Sequence, residues 1–174
     1  MENLSDEILM QQVAQGNLDF LTILFDRHHK HVYNFLYKMS RDKMLSEDLT
    51  QEVFLKLIRH RTTYKNGSFV SWLFTIARNS LKTHFSRQHK HHADIDEVHA
   101  HLAENANNAQ EEYSHLQNAL NQLSPEEREL IILNRYQEIR YEELAQIVGS
   151  TPGAVKTKVC RVLKKLKTIY LESI

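Results

Sequence analysis

Apolar residues recur at helical spacing along most of the chain. Phe20, Leu21, Leu24, Phe25, Val32, Phe35, Leu36 and Met39 fall three and four residues apart, which predicts a long helix over 18–40. Leu45, Leu49, Val53 and Leu57 make a second stripe through 45–60. Phe69, Trp72, Leu73, Ile76, Ala77 and Leu81 make a third. Ahead of these, Ser5 predicts the cap of a short helix that stops at Gly16-Asn17. Between the second and third stripes the loop RTTYKNGS turns at Asn66-Gly67, and Ser68 is placed to cap the helix of the third stripe.

From Gln88 to about Asn108 the pattern fades into His, Asp, Glu, Ala and Asn, which predicts a linker. Periodicity resumes at Tyr113, Leu116, Leu120 and Leu123. In SPEE, Ser124 is an N-cap, Pro125 opens the helix and Glu127 completes a capping box, predicting a helix to about Gln137. Leu144, Ala145 and Val148 then give one buried face before Gly149. Thr151 and Pro152 start a last helix whose Val155, Val159, Val162 and Leu166 face inward. A helix, a short glycine turn and a second, basic helix is the helix-turn-helix pattern.

Only 4 Gly and 2 Pro occur in 174 residues, too few for the tight turns of an all-β fold. The expectation is an all-α protein of two small helical domains, 1–93 and 110–174, joined by a flexible acidic linker at 94–109. The C-terminal domain carries the helix-turn-helix. The single Cys160 excludes an internal disulfide and a cysteine-based zinc ribbon. The acidic start MENLSDEILMQQ does not read as a signal peptide, and no apolar run approaches a membrane span, so a cytoplasmic protein is expected.

Lys+Arg and Asp+Glu both number 22, yet the charge is segregated. Net charge is +4 over 1–93, −8 over 94–130 and +4 over 131–174. Basic ends point to nucleic acid. The last helix would enter a major groove and present Lys156, Thr157, Lys158 and Arg161, with Lys164 and Lys165 further on. Lys and Arg reach guanine edges or phosphates; Thr reaches bases or backbone. Solvation of a basic hairpin is the bland alternative, against which capping, spacing and charge agree.

Two features of the first half remain. Asp48, Gln51 and Glu52 share the face opposite the second stripe, a patch suited to a protein contact or to solvation. Tyr64, Phe69 and Trp72 surround a turn and are followed by Arg78, Asn79 and Lys82, a mix that suits single-stranded nucleic acid. The alternative is that Phe69 and Trp72 are core residues, and for Trp72, which lies on the apolar face, that fits equally well. A free-standing DNA-binding regulator would explain the C-terminal half but neither of these two features.

The strings E-D-L-T-Q-E-V-F and W-L-F-T-I-A-R-N, with the C-terminal motif, resemble bacterial RNA polymerase sigma factors of the extracytoplasmic-function group. The likeness runs in order over nearly the whole chain. "LMQQVAQGNLDFLTILFDRHHKHVYNFLYKMSRD" looks like region 2.1, "SEDLTQEVFLKL" like region 2.2, and "FVSWLFTIARNSLKTHFSR" like regions 2.3 and 2.4. "ALNQLSPEERELIILNRYQEIRYEELAQIVGSTPGAVKTKVCRVLKKLK" looks like region 4. The resemblance implies docking of Asp48, Gln51, Glu52 and Phe54 on the clamp helices of the polymerase largest subunit. It implies melting and reading of the −10 element by Tyr64, Lys65, Asn66, Ser68, Phe69, Trp72, Arg78, Asn79 and Lys82. It implies −35 reading by Thr151, Lys156, Thr157, Lys158, Arg161 and Lys165, a contact to the polymerase flap, and an anti-sigma partner. No enzymatic activity, cofactor or membrane insertion is implied. Thr83 stands where relatives usually carry Asp, and His84 where an aromatic is common.

The linker of 94–109 spans up to about 55 Å when extended at ~3.4 Å per residue, more than the ~34 Å of one duplex turn. Eleven His occur, six of them in or beside the linker, and His28, His29 and His31 cluster earlier. They lack Cys companions and a compact ligand spacing, so no metal site is assigned.

Overall fold

A computed structural model describes residues 3–92 and 108–174, without the side chains of 91, 92 and 108–112. The predicted linker lies outside the described residues. All regular structure among those described is helical, in eight α-helices. They are α1 (Asp6–Ala14), α2 (Phe20–Ser40), α3 (Lys43–Arg59), α4 (Phe69–His92), α5 (Asn108–Asn121), α6 (Pro125–Ile131), α7 (Tyr141–Val148) and α8 (Pro152–Glu172).

The ends of these helices are set by local chemistry. Ser5 Oγ accepts from Ile8 N, and Asp42 does the same for Leu45 N at the head of α3. Ser68 Oγ accepts from Ser71 N at 3.2 Å. Ser124 and Glu127 form the expected reciprocal capping box. Thr151 accepts from Ala154 N, and Gly149 ends α7 at φ 72°, where a Cβ would be strained. Arg41 takes the same left-handed conformation, φ 60°, to close α2.

The helix after Ser124 departs from expectation. It is α-helical only to Ile131 and then widens into a π-helical turn, Ile132–Tyr136. Gln137 N bonds Ile132 O at 3.1 Å, and Asn134 Nδ2 bonds Ile139 O at 2.9 Å. The widened turn sets Ile139 into the core and forces Glu138 to φ 55°.

Helices α2, α3 and α4 pack around Val32, Phe35, Leu36, Val53, Leu57, Leu73 and Phe74. Helix α1 adds Leu9, Met10 and Val13. In the second half α5, α6 and α7 pack against α8 and the π-helical turn through Leu120, Ile131, Leu144, Val155 and Val159. The two halves touch: α7 lies along α4, and α6 and the π-helical turn meet α2.

Helix α1 is pinned by charge. Asp6 accepts from Arg27 at 2.7 Å and pairs with His28 at 2.6 Å. Burial pushes the Asp6 carboxyl up, but the hydrogen bonds and charges of His28 and Arg27 outweigh it and hold the group below 3.8. A depressed folded value means the stabilisation is present above the unfolded value and lost as pH falls through the folded one. Asp6→Asn should therefore lower the melting temperature at neutral pH. The gap between mutant and wild type should close in acid melts well below pH 3.8.

Candidate polymerase and promoter interfaces

The surface of α3 divides sharply. Leu49, Val53 and Leu57 are buried, while Asp48 and Gln51 are exposed on the other side. Glu52 is half-exposed and held by Lys56 at 2.5 Å, whose Nζ also donates to Ser80 at 2.9 Å. The structure thus brings Asp48, Gln51 and Glu52 together as the sequence predicted. Phe54 differs: it is 5% exposed, because its ring seats edge-on against Phe25 at 4.8 Å. It forms the floor of a groove with Leu21, Phe25, Gln51 and Leu55 rather than a projecting contact. Leu55 is 60% and Phe25 39% exposed. From sequence Phe25 was read only as part of an apolar stripe and Leu55 was not named, although Leu55 interrupts the polar face of α3. An apolar groove beside acids is the composition of a partner surface.

The loop between α3 and α4 starts with a 3-10 turn, Arg61–Thr63. Lys65 and Asn66 are exposed, and Asn66 sits at φ 35°. Two of the aromatics lie inside. Phe69 is fully buried against His28, and Tyr64 is 8% exposed. The Tyr64 hydroxyl donates to Gly67 O at 2.5 Å. Burial, with Glu7 and Asp6 nearby, pushes its pKa up to about 12. Phe69 is corrected from a base-stacking platform to a residue that shapes the loop, since a ring sealed in the core presents no face to a base, whereas Tyr64 is tied down by its hydroxyl and borders the cleft beside it. Trp72 is half-buried, 5.3 Å from the Tyr64 ring, and walls a cleft with Lys65, Ser68 and Thr75.

Helix α1 holds this loop, a role the sequence did not announce. Gln11 Nε2 donates to Asn66 Oδ1 at 3.1 Å, and Glu7 accepts from Phe69 N at 3.3 Å. Along α4, Asn79 and Lys82 are exposed. Arg78 is instead turned onto the second half, donating to Glu129 at 2.6 Å.

In α8 the inward row is the predicted one. Lys156, Thr157, Lys158 and Arg161 are exposed, as is Thr151 at the cap. Lys165 is exposed but pairs with Glu127 at 2.8 Å. That hydrogen bond and the Ser124 backbone hold the Glu127 carboxyl below its usual range. One helix therefore offers a line of cations in front of an apolar back.

Comparison with known proteins decides what these surfaces belong to. Sigma-70 region 2 matches residues 24–91, and Sigma-70, region 4 matches residues 114–166. RNA polymerase sigma factor CarQ of Myxococcus xanthus is 34% identical over 169 residues, covering 94% of this chain and 96% of that protein. The chain belongs to the sigma-70 family of RNA polymerase sigma factors, in its extracytoplasmic-function group. It is a polymerase-binding, promoter-directing subunit. ECF RNA polymerase sigma factor SigM of Bacillus subtilis is 29% identical, covering 84% of this chain and 93% of that protein. The fold agrees with the sigma factor RpoE of Bartonella quintana, solved with the anti-sigma factor NepR. That match has a TM-score of 0.70 at 27% identity and covers 87% of this chain and 96% of that one.

The Tyr64–Gly67 bond fixes the loop of this sigma factor. Tyr64→Phe should lower stability by about 1 kcal/mol, the value of a hydrogen bond whose acceptor reaches water once freed, as read by chemical denaturation.

Proposed function

We propose that residues 1–93 form the unit that docks on core polymerase and reads the −10 element, and that 110–174 form the unit that reads the −35 element. The 94–109 stretch joins them. The observation that carries this reading is the division of α3: an acidic and amide patch, Asp48-Gln51-Glu52, borders an exposed apolar groove floored by Phe54. A helical partner with basic and apolar residues fits it, and the clamp helices of the polymerase largest subunit are assigned here. The flap is assigned to the second unit.

For the −10 element, bases taken out of the duplex stack are assigned to the cleft at Trp72, Lys65 and Ser68. Asn66, Asn79 and Lys82 contact the strand, and Tyr64 and Phe69 set the loop's shape. Arg78 joins them when it is free of Glu129. For the −35 element, Lys156 in the first turns of α8 reads base edges, with Thr151 and Thr157 beside it. Lys158, Arg161 and Lys165 hold phosphate. The protein catalyses no reaction of its own and works in the cytoplasm. An anti-sigma factor is its regulator, a reading supported by the Bartonella quintana complex. Among the described residues no helix is long and apolar enough to cross a membrane.

Docking is tested with Asp48→Arg combined with Gln51→Ala. Both positions are exposed, so stability should move by no more than about 0.5 kcal/mol. Retention on core polymerase should be lost; wild-type co-purification of the double variant would refute the assignment.

Promoter opening is tested with Asn79→Ala. Holoenzyme assembly and −35 binding should persist while open complex falls. A template already mismatched over the −10 segment should recover the few kcal/mol of melting but not the lost base contact. Permanganate reactivity of unpaired thymines on the two templates measures both quantities.

A further inference from the structure

Helix α1 reaches the loop between α3 and α4 at three points. Gln11 Nε2 donates to Asn66 Oδ1 at 3.1 Å. Glu7 Oε1 accepts from Phe69 N, the first amide of α4, at 3.3 Å. Asp6 holds His28 at 2.6 Å, and the His28 ring stands edge-on to Phe69 with centroids 5.2 Å apart. Glu7 and Gln11 are four residues apart and so lie one above the other on α1. Leu9, Met10 and Val13 are fully buried and anchor the helix, so both groups meet the loop from a fixed base. Asn66 needs such a hold. Its φ of 35° lies in the left-handed region, which a residue with a side chain keeps only where its surroundings impose it.

We propose that Gln11 is a positioning residue for reading the −10 strand: by engaging Asn66 Oδ1 it fixes the loop and leaves Asn66 a hydrogen-bond donor, which selects a base with a keto edge over one with an amino edge. This rests on the assignment of the loop to the −10 strand made above. With Oδ1 engaged by Gln11, Asn66 Nδ2 is the amide atom that has no partner among the described residues, and Asn66 is exposed. An amide nitrogen only donates. It matches the O4 of thymine or the O6 of guanine, and it meets another donor at the N6 of adenine or the N4 of cytosine. The polarity is therefore set from α1, by the group that Gln11 turns toward the loop. A carboxylate in place of the Gln11 amide accepts and cannot donate. Asn66 would then turn Nδ2 inward and present Oδ1, and the selection would reverse.

The test uses holoenzyme made with the full chain. Fork templates whose single-stranded −10 segment is randomised are bound, recovered and sequenced. The wild type should enrich thymine and guanine over adenine and cytosine at one position. Gln11→Ala should lower that ratio by about tenfold, the scale of one lost base contact. Gln11→Glu should move the preference toward adenine and cytosine. Gln11 is half-buried on α1, and both replacements are good helix formers, so helicity, core retention and −35 binding should persist. If Gln11→Ala loses helicity, Gln11→Glu, which keeps the side-chain length, is read alone. Asn66→Gly removes the amide and tolerates the left-handed backbone, and it should abolish the preference. Where it does so, base ratios unchanged in the Gln11 variants overturn the positioning role. So does a uniform loss of binding to all templates, which is what a merely structural residue produces. A wild-type preference for adenine and cytosine overturns the donor polarity and the role with it. If Asn66→Gly leaves the wild-type pattern intact, the −10 assignment of the loop fails instead.

Discussion

Helix α4 has two faces to satisfy, and the arrangement of everything else depends on how it does so. Its inward row, Phe69, Leu73, Phe74, Ala77 and Leu81, closes the core built by α2 and α3. Its opposite side carries Ser68, Ser71, Thr75 and Arg78, which are polar groups brought against α7. Apolar packing makes the first contact costly to open, because separating it would expose fully buried rings and leucines. The second adds hydrogen bonds to α7 and an ion pair to α6 beside the apolar cluster that both halves share. A single helix thus has a wholly apolar side and a side that carries its polar contacts.

The same reasoning explains why the sequence revealed so much of the fold. Helix ends are decided within a few residues, so Ser5, Ser124 with Glu127, Gly149 and Thr151 could each be recognised without knowing the rest of the chain. The buried row of α8 followed from periodicity alone. What stayed hidden depends on residues far apart. Arg78 lies 51 positions from Glu129, and Ser68 lies 75 from Glu143. A lone Glu in the apolar run ELIIL and a lone Arg in IARN each break their pattern, and two such breaks of opposite sign are the available hint. The π-helical turn left no signal, since Ile132, Leu133 and Tyr136 also fit an α-helical face.

Within the candidate interfaces, legibility depended on residue type. Charged and amide groups were placed correctly on the surface at Asp48, Gln51, Asn79, Lys156 and Arg161, because burying them unpaired would be prohibitive. Aromatics were harder to place, as a ring suits a base stack and a core equally well. Tyr64 shows the difficulty: its ring is buried while its hydroxyl still finds a carbonyl. The histidines divide in a similar way. His28 holds Asp6, His29 Nδ1 meets Phe25 O, and His31 Nδ1 meets Gln137 Oε1 across the seam. Each of these three has a hydrogen-bond partner within the chain.

Charge segregation along the chain acquires a physical meaning from these contacts. The acidic stretch around residues 126–129 supplies Glu127 to Lys165 and Glu129 to Arg78, so two of its carboxylates are each paired with a cation from a basic segment. The two pairs differ in setting. Lys165 is half-exposed, and its pair gains little against solvent and salt. Arg78 and Glu129 are largely shielded, so their pairing is less sensitive to ionic strength and more sensitive to a ligand that enters the seam. A chain of zero net charge thus keeps exposed cations such as Lys156, Lys158 and Arg161 at its basic ends, while Arg78 and Lys165 are paired with acids.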